Sequence, residues 1–239
     1  MLMVLSGEGV SDLGQCNNGQ GHCVGNEFQK GAMTLIINQM LEASPKVGYS
    51  LLDTTPDSFH YISEELLSIY AKKRKGRSMS LVGKNHHQET GYFYINAWML
   101  AEITQEIEKE QEDNAIAVLF RDTDGTSSAA NTLWHNKWQS MCEGFKRAEF
   151  ERGVGMLPKP KSEAWLLCAI KNNYQHCAVL EDLSGNDNAP NSAKRLLGMT
   201  GAEAYDWLTS KGFNTSAVAR QMPSFGVFAI ALNDALNAL

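Results

Sequence analysis

Three short segments carry carboxylates at a spacing that suits cation chemistry. An apolar start leads into GEGVSD, which supplies Glu8 and, one helical turn on, Asp12. A second apolar run, AIAVLF, is followed at once by RDTDG, which supplies Asp122 and Asp124. The third segment, PKPKSEAW, carries Lys161 and Glu163. Carboxylates gathered at one sheet edge raise one another's pKa unless cations lie between them. Hard divalent ions resolve that conflict, because Mg²⁺ and Mn²⁺ take oxygen ligands, retain water and accept substrate phosphate oxygens beside one or two carboxylates. A pair of such ions activates a water and stabilises the leaving oxygen of a phosphodiester. An Asp-x-Asp at a strand end is a common turn feature by itself, so the three segments point to cation chemistry only in combination.

Open α/β sheets bind their ligands beyond the carboxyl ends of parallel strands, so strands should precede these acids. Short apolar runs predict strands at Met1–Ser6, Val47–Leu52, Met79–Val82, Ala115–Phe120 and Val154–Leu157. Helical spacing of apolar residues predicts helices over Phe28–Leu41, Ile62–Tyr70, Tyr92–Glu112 and Thr132–Phe150, and over Glu163–Lys171 with Ser162 as its N-cap. Strands alternating with helices imply right-handed crossovers and a mainly parallel α/β sheet flanked by helices. Val10–Asn26, rich in Gly, Asn and Gln, reads as a loop. Beyond the turn-rich tract LEDLSGNDNAPNS, helical segments follow at Lys194–Leu197, Ala202–Leu208, Ala217–Gln221 and Phe225–Leu239. The expected organisation is an α/β domain over 1–177 and a helical C-terminal extension over 178–239 packed on it.

The 239 residues suit one domain with a modest addition. With 43% hydrophobic and 20% charged residues, the chain is neither disordered nor fibrous. The net charge of −6 argues against coating nucleic acid by bulk charge, although local cations or metal ions can offset the repulsion. Lys72, Lys73, Arg74, Lys75 and Arg77 form the one dense basic tract available to grip a phosphate backbone, with Lys84 in a loop beyond it beside His86 and His87. The bland reading of that tract is a solvated helix end. The apolar N-terminus lacks a basic n-region, and no run approaches the ~20 apolar residues of a spanning helix, so neither a signal peptide nor a membrane segment is expected. Five cysteines, an odd number, fit a reducing cytoplasm better than a disulfide framework. His22-Cys23 and His176-Cys177, with Cys16, lack the paired spacing of zinc ligands.

A strand ending in Gly-Glu-Gly with an acid four residues on, then a buried strand ending in Asp-x-Asp-Gly, resembles the Toprim domain. The pattern is most similar to small Toprim-like proteins encoded beside ATPases in bacterial defence loci and to the nuclease domain of overcoming-lysogenization-defect proteins. Glu163-Ala164-Trp165-Leu166-Leu167 resembles a third motif of the small proteins, and SFGVF at Ser224–Phe228 resembles their C-terminal pattern. The resemblance implies a Toprim-like sheet, two Mg²⁺ or Mn²⁺ sites and phosphodiester chemistry on DNA or RNA, with an ATPase partner. Glu8 would be metal ligand or general acid/base, Asp12, Asp122 and Asp124 metal ligands, and Glu163 a further acid. Lys161 would neutralise transition-state charge. The long interval from Glu8 to Asp122 implies insertions near 13–27 and 72–90, and lysines stand where the small proteins often have an arginine. Toprim domains also serve topoisomerases and primases, and a non-catalytic regulatory subunit is a further alternative.

Overall fold

The computed structural model describes residues 1–74, 90–124 and 130–239. In chain order the strands are β1 (Leu2–Gly7), β2 (Gly14–Cys16), β3 (His22–Val24), β4 (Phe28–Lys30), β5 (Phe59–Ile62), β6 (Ala115–Phe120) and β7 (Gly153–Met156). The helices are α1 (Ala32–Ala43), α2 (Leu51–Thr54), α3 (Glu64–Arg74), α4 (Gly91–Gln111), α5 (Ala130–Arg147), α6 (Ser162–Ile170), α7 (Ala193–Leu197), α8 (Gly201–Lys211), α9 (Thr215–Gln221) and α10 (Pro223–Asn237).

A five-stranded sheet runs in the order β3-β5-β1-β6-β7, and β2 pairs with β4 in a separate antiparallel ribbon. β1 is parallel to β5 and β6, and β6 to β7, while the edge strand β3 is antiparallel to β5. β1 and β6 are buried along their whole length because both sheet faces are covered, which is why their sequences are apolar without alternation. Met3, Leu5, Ile116, Val118 and Phe120 face one core, which is built with α1, α6 and the C-terminal helices α7 to α10. Leu2, Val4, Ala115, Ala117 and Leu119 face the other, built with α3, α4 and α5. The extension therefore shares a core with the sheet.

The chain leaves β1 through α1 toward β5 on one face, and leaves β5 and β6 in the opposite direction through α3, α4 and α5 on the other face. Opposite directions on opposite faces is what a single crossover handedness requires. The direction reverses between β1 and β6, which makes their carboxyl ends the switch point where α/β sheets bind ligands.

Several expectations are corrected. Val47–Leu52 is no strand: Val47 lies in a turn, and the Ser50 hydroxyl accepts the Asp53 N–H (3.2 Å), which starts α2 instead. The strand falls at Phe59–Ile62, and Phe28 belongs to β4 and not to a helix. Part of the Gly/Asn tract pairs, as β2 and β3. Ser162 is the first residue of α6, with Lys161 at the N-cap position. The cysteines are not all reduced. Cys16–Cys23 and Cys168–Cys177 are disulfides with Cα atoms 5.6 and 5.2 Å apart, inside bridging range, and Cys142 is free. The cysteine ground for a reducing compartment falls with them. No described helix is long and apolar enough to cross a membrane. The expected strand Met79–Val82 and residues Lys75, Arg77, Lys84, His86 and His87 lie outside the described residues.

Candidate functional site

The carboxylates converge because β1 and β6 end side by side. Gly7 pairs with Phe120, and a Cβ on Gly7 would lie 2.4 Å from the Phe120 carbonyl oxygen, so only glycine allows this approach. The chain then turns through Gly9 at φ +84°, where a Cβ would also meet the Asp12 carboxylate at 2.4 Å. The five-residue helical turn Gly9–Leu13 brings Asp12 back over the strand end one turn after Glu8.

Glu8 reaches across the switch point. Its Oε1 accepts the Asp122 backbone N–H (2.8 Å), and its Oε2 lies 3.1 Å from the Arg121 guanidinium. Arg121 also pairs with Glu64 at the start of α3 (2.7 Å) and lies over the Phe93 ring (5.4 Å to its centre). Ser162, fully buried, ties two more acids together: its backbone N–H donates to Asp122 Oδ1 (2.9 Å) and its hydroxyl to Asp12 Oδ1 (2.5 Å). That second bond explains why Ser162 does not cap α6. The turn after β7 is pinned to the turn after β6: Thr123 and Asp124 N–H groups donate to the Pro160 carbonyl (3.1 and 3.2 Å) next to a cis Lys159–Pro160 bond. The Thr123 hydroxyl donates to the Pro158 carbonyl (2.6 Å), and Lys137 Nζ to the Thr123 carbonyl (2.7 Å).

The acids do not form one uniform group. Burial, then the charges of Asp12, Glu163 and Glu8, pushes Asp122 well above the usual carboxylate range. Burial also raises Asp12 and Glu163, with Glu8 adding to the first and Asp12 to the second. Glu8, Asp12, Asp122 and Glu163 are thus electrostatically coupled, and a buried Glu163 oxygen, Oε2, has no hydrogen-bond partner among the described residues. Asp124 stands aside. It is exposed, holds φ +50°, and pairs with Lys161 (3.1 Å). Burial works against the Lys161 charge, but the Asp187 and Asp124 carboxylates outweigh it and hold the ammonium protonated.

An all-oxygen, mutually repelling set with an orphaned buried oxygen fits a hard divalent cation better than a soft one. Among the described residues no three His, Cys, Asp or Glu side chains form a ready cage, and Arg121 and Ser162 engage Glu8 and Asp12. The zinc reading fails on other grounds: Cys16, Cys23 and Cys177 are spent in disulfides, and His22 Nε2 bonds His60 Nδ1 (3.0 Å).

Of the basic tract, the described residues Lys72, Lys73 and Arg74 are not brought to these acids. Arg74 lies ten residues along α3 from the Glu64 end, roughly 15 Å at helical rise. There it pairs with Glu102 (2.5 Å) and lies over Trp98, while Lys72 and Lys73 are exposed. Trp165 is core: it packs between Phe225 and Phe228 and donates its indole N–H to the Ser224 hydroxyl (2.8 Å), so the EAW and SFGVF segments touch. Sequence reading missed Arg121, Glu64, Ser162, Asp187 and Lys194. Arg121, next to Asp122, and Ser162, between Lys161 and Glu163, carried a signal by adjacency alone. Comparison with family models, curated proteins and solved structures returned no match.

Proposed function

We propose that this chain is a metal-dependent nuclease of Toprim type, hydrolysing phosphodiesters of DNA or RNA and working with an ATPase partner. The observation that carries the reading is the coupling of Glu8, Asp12, Asp122 and Glu163 at the switch point, with one buried carboxylate oxygen left without a partner among the described residues. Mg²⁺ or Mn²⁺ held by Glu8, Asp12, Asp122 and Glu163, with Asp124 at the margin, would supply Lewis acidity and a water of lowered pKa. The remaining work falls to the protein. Arg121 holds Glu8 at the strand end, and Ser162 bridges Asp12 and Asp122. Lys161 places a positive charge beside them for a phosphate oxygen.

The Arg121–Glu8 ion pair favours a second reading, a regulatory subunit whose acids hold a structural metal or none. Incubation of purified protein with plasmid DNA and with RNA in Mn²⁺ separates the two. Cleavage is expected, and Glu8→Gln or Asp122→Asn should lower it by at least about 100-fold. Cleavage that survives both substitutions and EDTA overturns the nuclease. An absence of calorimetric Mn²⁺ binding at millimolar metal favours the regulatory subunit.

A further inference from the structure

The tract LEDLSGNDNAPNS, which reads as a mere connection in sequence, delivers a charged residue to the acid end of the sheet. Asp187 Oδ1 lies 2.9 Å from Lys161 Nζ, and its Oδ2 lies 3.1 Å from Lys194 Nζ on α7. Lys161 in turn touches Asp124 (3.1 Å). The tract that carries Asp187 is shaped by its own bonds: the Ser192 hydroxyl donates to the Asp187 carbonyl (3.2 Å), and the Asn188 N–H donates to Asn186 Oδ1 (3.0 Å). Two ammonium groups are therefore held by one carboxylate, and the charge of Lys194 reaches Asp12 and Glu163, as that of Lys161 does. A phosphodiester approaching four coupled acids meets repulsion, and cations on fixed mounts offset it.

We propose that Lys161 and Lys194 form a paired ammonium clamp for the substrate phosphate, with Asp187 as the residue that positions both. The assignment rests on the phosphodiester reading above and makes the C-terminal extension part of the site.

The test uses the full chain and fluorescein-labelled 20-nucleotide DNA and RNA strands, with anisotropy binding in EDTA and cleavage in Mn²⁺. Lys194→Ala should weaken binding of the better-bound strand about tenfold and lower the salt slope by about 0.7, the value for one phosphate contact to a single strand. Lys194→Arg should restore most of both. Lys211→Ala, an exposed charge on α8, should change neither. Asp187→Asn splits positioning from net charge. Removing a negative charge alone tightens binding and leaves kcat unchanged, whereas loss of positioning lowers kcat about tenfold with KM no higher. The proposal is overturned if Lys194→Ala behaves like Lys211→Ala, or if Asp187→Asn binds more tightly at unchanged kcat. Should Asp187→Asn fail to fold, the contrast between Lys194→Ala and Lys194→Arg decides. Wild-type protein that neither binds nor cuts either strand removes the phosphodiester reading, and this assignment with it. Wild-type cleavage with silent Lys194 variants removes the clamp alone.

Discussion

Glu181, linked to Trp165 through Ser224, and Glu163, two positions before Trp165, both have a pKa raised by burial. Glu181, 6% exposed, accepts the Ser224 N–H (2.7 Å) at the start of α10, and the Ser224 hydroxyl receives the Trp165 indole N–H (2.8 Å). Its charge meets free donors at a helix N-terminus, a favourable place for a carboxylate. Glu163, two positions before Trp165, instead has Asp12 and Asp122 as electrostatic neighbours and keeps a buried oxygen without a partner among the described residues. One carboxylate is completed by the fold. The other is left for something from outside, which is how a structural acid and a functional acid differ when sequence gives both the same letter.

Substitution at the two glutamates should separate function from stability, and the largest effect belongs to Glu163. Glu163→Gln should cut metal-dependent cleavage by about 100-fold or more and abolish the calorimetric Mn²⁺ response, while the metal-free melting temperature stays level or rises as repulsion with Asp12 is relieved. A clear fall in that melting temperature would make Glu163 structural. Glu181→Ala should do the reverse. It leaves the Ser224 N–H buried and unpaired, at a cost of about 1–3 kcal/mol and a melting temperature lower by roughly 2–12 °C, with Mn²⁺ binding intact. Lost Mn²⁺ binding in a folded Glu181→Ala protein would collapse the distinction.

A smaller effect separates acids from bases. Both glutamates bind protons more readily in the folded state, so their contribution favours the fold at low pH and is lost as pH rises above the ordinary value of 4.5. The bonded pair His22 and His60 runs the other way. Burial, with His22 adding its charge, lowers His60 to about 4, and burial lowers His22, so stability is full above pH 6.5 and falls as pH drops toward 4. The stability that His60 contributes, read as the difference in urea midpoint between wild type and His60→Gln, should therefore decline across pH 6.5 to 4. A difference that does not change with pH would remove the histidine pair as a pH-dependent contributor.

What sequence could reveal follows from how local each signal is. β1, β6 and β7 were legible because strands covered on both faces need only apolar side chains, and Ala115–Phe120 matches its run to the residue. β5 was hidden because FHYI carries His60, whose hydrogen-bond partner is His22, 38 positions away. Val47–Leu52 misled because the Ser50 cap, a local hydrogen bond, outweighs a short apolar stretch. The acids Glu8, Asp12, Asp122 and Glu163 could be named from their places after strands. Their supports could not: Ser162, Arg121, Glu64 and Asp187 act through contacts set by the sheet order, and the cysteine pairs depend on turns that bring Cα atoms within bridging range.

The hydrogen bond from Ser162 to Asp12 joins positions 150 apart. On the ribosome the first acids emerge early, and their partner is about 8–30 s behind at ordinary rates of synthesis. β1 is central in the sheet and waits for β6 before its second edge is paired. A product released by a ribosome that stalls before position 162 carries Glu8 and Asp12 without the serine that fixes them, so the acid cluster belongs only to chains extended past Glu163.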